Sequence, residues 1–187
     1  MKNFIDITHK NLAVKLAETR EEIEKARVLR FDELINKSNP DIPYSQCFDD
    51  SDFIYDHLIV IDRDNGSVVG TYRLGRREQL EKIGDFYTNV KFNVDSLMAA
   101  EGEVLELSRM AIRESYRDGS VIKLLWKGLF AYCARFDVKW LFGIISLPTT
   151  EPDDALNFLS YINNGLLTEE FDLFAREPVV RTCLLYT

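Results

Sequence analysis

Asn65-Gly66 narrows the fold more than any other feature. The pair stands between two runs rich in β-branched and apolar residues, in the stretch HLIVIDRDNGSVVGTYRL. A two-residue type I′ turn needs positive φ at both central positions, which Asn and Gly tolerate best. Residues 57–63 and 67–74 are therefore expected to pair as antiparallel strands.

The other elements are read around that hairpin. Residues 11–17 (NLAVKLA) alternate in character and predict a first strand. Thr19 opens a helix to about Asn36, with Glu22 three residues on as its capping-box partner. A loop rich in Pro, Asp and Ser follows. Short helices are expected over 76–83 and 94–100, with the aromatic, irregular segment of Phe86, Tyr87 and Phe92 between them. Residues 103–112 (EVLELSRMAI) predict a strand whose apolar positions do not alternate throughout, the mark of burial or of a bulge. A strongly apolar helix is expected over 119–135, a short central strand over 140–147, a helix over 151–162, and one or two strands in the tail. Strands and helices in this order form one mixed α/β (α+β) domain over residues 1–187.

Composition removes several classes. The 187 residues carry a net charge of −8 and a pI near 4.9, whereas a nucleic-acid-binding domain is normally basic. Cys47, Cys133 and Cys183 are odd in number and form no CxxC pair, and His9 and His57 are the only histidines. A disulfide framework, a zinc site or any other metal is not expected. MKNFIDITHKN does not read as a signal peptide, and no run of about 18 apolar residues is present. The expected setting is the cytoplasm.

Seven segments then point to a family. They are Leu29-Arg30-Phe31, Asp56-His57-Leu58, Val69-Gly70-Thr71-Tyr72-Arg73-Leu74, Phe86-Tyr87, Leu105-Glu106-Leu107-Ser108-Arg109, Tyr116-Arg117 and Leu124-Leu125-Trp126. In this order and spacing the chain resembles the GNAT superfamily and, within it, the long-chain N-acyltransferases. That group holds the ornithine-lipid-forming acyltransferases, the N-acyl amino acid synthases and, more distantly, the acyl-homoserine-lactone synthases. The resemblance covers residues 29 to about 161. It implies a mixed central sheet with two splayed strands, flanked by helices. It also implies transfer of a fatty acyl group from acyl carrier protein, or acyl-CoA, to the α-amino group of an amino acid such as ornithine or tyrosine. By position it implies a site of Arg30, Asp49 or Asp52, Asp56, Arg73, Glu106 and Arg109. The chain departs from the family on the first helix, where Asp32 and Leu34 stand in place of an Arg and a Phe.

Glu106 is the candidate base. Aminolysis of a thioester needs a neutral amine, and a carboxylate near the acceptor can take its proton. Between Leu105 and Leu107 on a strand, Glu106 faces away from both, and a carboxylate in apolar surroundings needs a partner. The structural alternative is an ion pair with Arg109 or Arg73. Arg30, Arg73 and Arg109 can fork an acceptor carboxylate or brace the acidic run of Asp49, Asp50, Asp52 and Asp56. His57 reads as a hydrogen-bonded structural histidine or, less commonly, a base. Tyr116 reads as packing or as the acid for a leaving thiolate, and Cys133 as inert. A bulge within 104–112 would turn the Met110 backbone N–H toward the thioester carbonyl. The aromatics Phe86, Tyr87, Phe92, Trp126, Phe130, Trp140 and Phe142 are read mostly as core, some as walls of an acyl pocket.

The donor is expected along Ala111 and Ile112 and at Arg117, Gly119, Ser120 and Lys123. A coenzyme A loop in this superfamily carries several glycines before the long helix, whose N–H groups hold a pyrophosphate. Here one glycine is present and Asp118 adds negative charge. That favours acyl carrier protein, whose phosphopantetheine has one phosphate. Arg113, Arg117, Lys123 and Lys127 can meet such an acidic partner or form ordinary surface charge. No bound cofactor is expected, and peripheral membrane contact is compatible with the reading. The alternatives are an acyl-homoserine-lactone synthase, an acetyl-CoA-dependent acetyltransferase and a non-catalytic acyl-binding module.

Overall fold

A computed structural model describes residues 4–37, 39–48, 50–145, 151–163 and 171–176. The chain divides into two compact units, Met1–Gly84 with Gly102–Phe142, and Asp85–Glu101 with Gly143–Thr187.

Among the described residues the first unit is built on a six-stranded sheet. Its strands are β1 (Asp6–His9), β2 (Leu12–Leu16), β3 (Asp56–Asp62), β4 (Ser67–Arg76), β6 (Glu103–Ile112) and β7 (Val138–Phe142), in that spatial order. Neighbours are antiparallel except β6 and β7, which run parallel. The strand expected over 140–147 is β7, which is last in this order among the described residues. β1 was not foreseen, and Lys10 turns it back onto β2 with a φ of 54°.

Helix α1 (Arg20–Arg30) starts where the cap predicts. Thr19 accepts from the Glu22 backbone N–H at 3.1 Å. The reciprocal bond differs from a capping box, because Glu22 Oε2 accepts from the N–H of Glu18, at 2.8 Å, not that of Thr19. A π-helical turn over Phe31–Asn36 continues α1 to the predicted end. The hairpin forms as β3 and β4, but its turn is a four-residue loop closed by the Asp62–Ser67 pair. Gly66 has φ 71° and Asn65 does not have positive φ. Type I′ is therefore excluded. Asp62 explains the wider loop: its Oδ1 accepts from the Asp64 N–H at 3.0 Å and its Oδ2 from the Tyr116 hydroxyl at 2.6 Å.

Helix α2 (Arg77–Ile83) follows β4, and α4 (Ser120–Phe136) follows β6. One face of the sheet packs Leu58, Val60, Val69, Leu74 and Leu105 against Val121, Leu124, Leu125, Leu129 and Tyr132 of α4. The other face packs Ile59, Val68 and Ala111 against Ala26 and Leu29 of α1. Burying each large aliphatic of this kind contributes about 1.5–3 kcal/mol.

Gly70 lets α4 lie close on the sheet. A Cβ there would stand 2.4 Å from Val121 Cγ1, and a helical valine has essentially one rotamer and cannot swing aside. Gly70→Ala is expected to destabilise the fold by about 1–3 kcal/mol, since overpacking outweighs the gain in strand propensity. A lowered urea midpoint with an unchanged slope would record it.

In the second unit, β5 (Phe92–Asn93) pairs with β8 (Phe174–Ala175), and helices α3 (Asp95–Met98) and α5 (Pro152–Asn163) are formed. Arg176 donates to the Asn89 carbonyl and to its side-chain oxygen, both at 2.7 Å. The rest of the expected tail strands lies outside the described residues.

Candidate active site

Strand alternation decides which polar side chains share a face. His57 and Ile59 of β3 pair with Arg73 and Thr71 of β4, which pair with Ser108 and Ala111 of β6. Because Ile59 and Ala111 pack against α1, His57, Thr71, Arg73, Ser108 and Glu106 belong to that face as well.

Asp52 is the centre of the polar cluster there. Arg30 forks it, Nη2 to Oδ2 at 2.7 Å and Nη1 to Oδ1 at 3.2 Å. Arg73 donates from Nη1 to Oδ1 at 3.2 Å and from Nε to Ser108 Oγ at 3.0 Å. Arg27 Nε stands 3.5 Å from Oδ2. Arg30, at 2% exposure, is fully buried. Aromatic faces shield the cations: Arg73 lies over Tyr55 at 4.1 Å, and Arg30 over Phe48 at 5.2 Å. Burial alone would raise the Asp52 pKa, but Arg30 and Arg73 outweigh it and hold the carboxyl below its ordinary range. Burial draws the Arg30 guanidinium down, Asp52 opposes this, and the positive charges of Arg73 and Arg109 add to it. The cluster is therefore a concentration of positive charge around one carboxylate.

His57 serves this cluster structurally. Its Nε2 donates to the Asp52 backbone carbonyl at 2.7 Å. Burial, then the charge of Arg30, pulls its pKa to about 4. The native value lies below the unfolded value near 6.5, so the neutral ring stabilises the fold fully above pH 6.5, and this is lost as pH falls toward 4. The loss amounts to about 3 kcal/mol. His57→Gln, which keeps a donor at the Nε2 position, is expected to flatten that slope in urea titrations between neutral pH and pH 4.

Two features of β6 bear on the reacting groups. Glu106 pairs with Gly75 on one side and, as the last partner in the parallel ladder, with Phe142 on the other. Beyond it β6 runs on to Ile112 while β7 has ended. Glu106 thus stands at the end of the β6–β7 ladder, and it is fully buried. The second feature is the expected bulge. Between the Arg73–Ser108 and Thr71–Ala111 pairs, Arg109 and Met110 stand opposite Tyr72 alone. Arg109 takes φ 58°, a conformation that L residues with long side chains seldom hold and that recurs at functional sites. The Met110 side chain is exposed and Ala111 is buried against α1.

Not every expected residue joins this face. Asp56 lies on the opposite one, where its carboxylate accepts from Tyr132 and from Gln79, the latter at 3.2 Å, with Arg76 3.8 Å away. The cause is alternation: neighbours on a strand point to opposite faces, so Asp56 and His57 cannot both face Arg73. Burial and then Asp56 push the Tyr132 hydroxyl well above its usual pKa. Asp49 lies outside the described residues. Tyr116 donates to Asp62 at the hairpin and so braces the turn. Ser108, Arg27, Phe48 and Tyr55 were missed as site residues. Ser108 was legible, since it is two positions from Glu106 on one strand.

At the start of α4, Asp118 Oδ1 already accepts from the Ser120 backbone N–H at 2.9 Å and from its hydroxyl at 2.6 Å. Gly119, with φ 90°, makes the turn into the helix. Arg117 is held by Glu33 at 2.6 Å and by the Ile112 carbonyl at 3.1 Å, and Arg113 stands 3.8 Å from Asp32. Lys123 and Lys127 are exposed. Among the described residues no His, Cys, Asp and Glu cluster could hold a metal ion. An open groove of about 340 Å³ lies elsewhere, between α1 and the hairpin turn, lined by Glu21, Glu24, Val28 and Val68 among others.

An acetyltransferase (GNAT) domain family model matches residues 27–127. The chain is 33% identical to the L-ornithine N(alpha)-acyltransferase of Brucella abortus (strain 2308), over 88% of this chain and 63% of that protein. It is 28% identical to the protein of the same name from Rhizobium meliloti (strain 1021), over 92% of this chain and 62% of that one. The chain thus spans a little over three-fifths of the length of these curated relatives. Among solved structures, an aminoglycoside N-acetyltransferase in complex with CoA superposes with a TM-score of 0.51 at 14% identity, covering 89% of this chain and 95% of that one. FeeM, an N-acyl amino acid synthase from uncultured soil microbes, gives 0.51 at 10%, covering 79% and 75%. At such identities these two structures speak to the fold.

Proposed function

The chain belongs to the acetyltransferase (GNAT) domain family, and on that premise we propose that it is an N-acyltransferase that moves a long-chain acyl group from a carrier thioester to the α-amino group of ornithine. The observation that carries this reading is Glu106, a buried carboxylate at the end of the β6–β7 ladder, on the face that holds Arg30, Arg73 and Asp52. The names of the relatives from Brucella and Rhizobium supply the acceptor.

In this reading the thioester lies in the gap beyond the last β6–β7 pair. The Met110 backbone N–H, turned out of the ladder by the bulge, polarises its carbonyl. The guanidiniums of Arg30, Arg73 and Arg109 draw the acceptor's carboxylate toward the cluster and align its amine. Glu106 takes a proton from the amine, directly or through water. The C–N bond forms, the C–S bond breaks, and the released proton returns to the leaving thiolate. Transfer is direct, with no acyl-enzyme.

Acyl carrier protein is the donor that the start of α4 favours. Asp118 occupies the Ser120 N–H and hydroxyl and sets a negative charge beside them, which suits one phosphate better than a pyrophosphate. Lys123, exposed in the first turn, is the cation for that phosphate.

Expression in a bacterial host with mass spectrometry of lipid extracts tests the proposal. New N-acyl ornithine that disappears with Glu106→Gln is the expected result. An unchanged lipid profile, with acetyl transfer from acetyl-CoA instead, would overturn it.

A further inference from the structure

Helix α4 carries an exposed stripe of which the acyl-transfer reading uses Lys123 alone. Its buried residues are Val121, Leu124, Leu125, Gly128, Leu129 and Tyr132. At helical spacing the opposite stripe is Lys123, Trp126, Lys127 and Phe130, all exposed. Trp126 is 40% exposed and Phe130 61%, and their ring centroids are 5.8 Å apart, so they form one joint apolar patch beside two lysines. The charge is equally uneven. The helix, SVIKLLWKGLFAYCARF, holds Lys123, Lys127 and Arg135 and no acidic residue, in a chain whose net charge is −8.

We propose that the Lys123–Trp126–Lys127–Phe130 stripe of α4 docks the protein on an anionic lipid surface. Paired aromatic rings with lysines along one side are the chemistry of an interfacial helix, with rings at the headgroup–acyl boundary and ammonium groups among lipid phosphates. The alternative occupant, an acidic carrier protein, is met mainly by charge. Two of the four cations expected for it, Arg113 and Arg117, already stand against Asp32 and Glu33, which leaves a face dominated by rings. No helix among the described residues is long and apolar enough to cross a membrane, so the contact is a surface one. An acylated amino acid is an amphiphile, and docking would deliver it where it partitions, but the inference rests on the helix face alone.

Co-flotation of the full chain with vesicles is the test, without donor or acceptor, so that its outcome is independent of the acyl-transfer reading. The protein is expected to float with vesicles of phosphatidylcholine plus phosphatidylglycerol, less at high salt, and to stay behind with phosphatidylcholine alone. In a Trp140→Phe background Trp126 is the one remaining tryptophan, and its emission should shift to the blue on binding. Trp126→Ser/Phe130→Ser, at surface positions that leave folding intact, is expected to weaken vesicle binding about tenfold or more, and Lys127→Glu to weaken it further. Acyl transfer between soluble substrates should be unchanged in Trp126→Ser/Phe130→Ser. Failure of the wild-type chain to float, or equal flotation of the double variant, would overturn the proposal. So would loss, in the double variant, of binding to holo-acyl carrier protein by a wild-type chain that ignores vesicles.

Discussion

Glu106→Gln is expected to lower kcat for acyl transfer to ornithine by about 10²- to 10⁴-fold, the range a positioned general base contributes. The amide keeps the size and hydrogen-bonding reach of the carboxylate but cannot take a proton from the attacking amine. The ornithine KM should move little, because the acceptor's carboxylate is assigned to Arg30, Arg73 and Arg109 rather than to Glu106. That split separates a proton acceptor from a merely structural carboxylate, whose loss would lower stability and leave residual turnover per folded molecule unchanged. Full activity in a folded Glu106→Gln protein would remove Glu106 from the mechanism.

Asp52→Ala carries the largest expected cost in stability, about 3–5 kcal/mol. Breaking a buried ion pair from one side strands the remaining charge without its partner. Here the stranded groups are Arg30, which is buried and forked on both Asp52 oxygens, and Arg73, which shares one of them. Burial already works against the Arg30 charge and Asp52 is what opposes it. Denaturant unfolding should show a lower midpoint. Arg30→Met in the same background should recover part of the loss, since it removes one of the two stranded charges and leaves only Arg73. A cost below about 1 kcal/mol, the range of surface pairs, would mean that solvent reaches the cluster.

Much of the first unit is legible in the amino-acid sequence. The hairpin, the Thr19 cap and the β6 bulge are local devices, each written in a few adjacent residues. What depends on register was not legible. Asp56 and His57 are neighbours in sequence, and only the pairing of His57 with Arg73 reveals that Asp56 serves the opposite face. The turn at Asn65-Gly66 was misjudged because Asp62, outside the dipeptide, widens it by accepting local N–H groups. β1 escaped notice because its short DITH run has no buried residue to set a period. Trp126 and Phe130 belong to a set of aromatics whose chemistry suits mostly the core and in part an acyl pocket, whereas the spacing of Val121, Leu124, Leu125 and Leu129 puts them on the outer face. Ser108 shares the Glu106 face by strand alternation, whereas its bond to Arg73 crosses 35 positions of sequence.

The most direct measurement supplies the purified chain with a long-chain acyl carrier protein thioester and ornithine and follows two products at once. Direct aminolysis predicts one N-acyl ornithine for each carrier thiol released, with the intact protein mass unchanged throughout. Thiol release without N-acyl ornithine, or an acyl group retained on the protein, would contradict it.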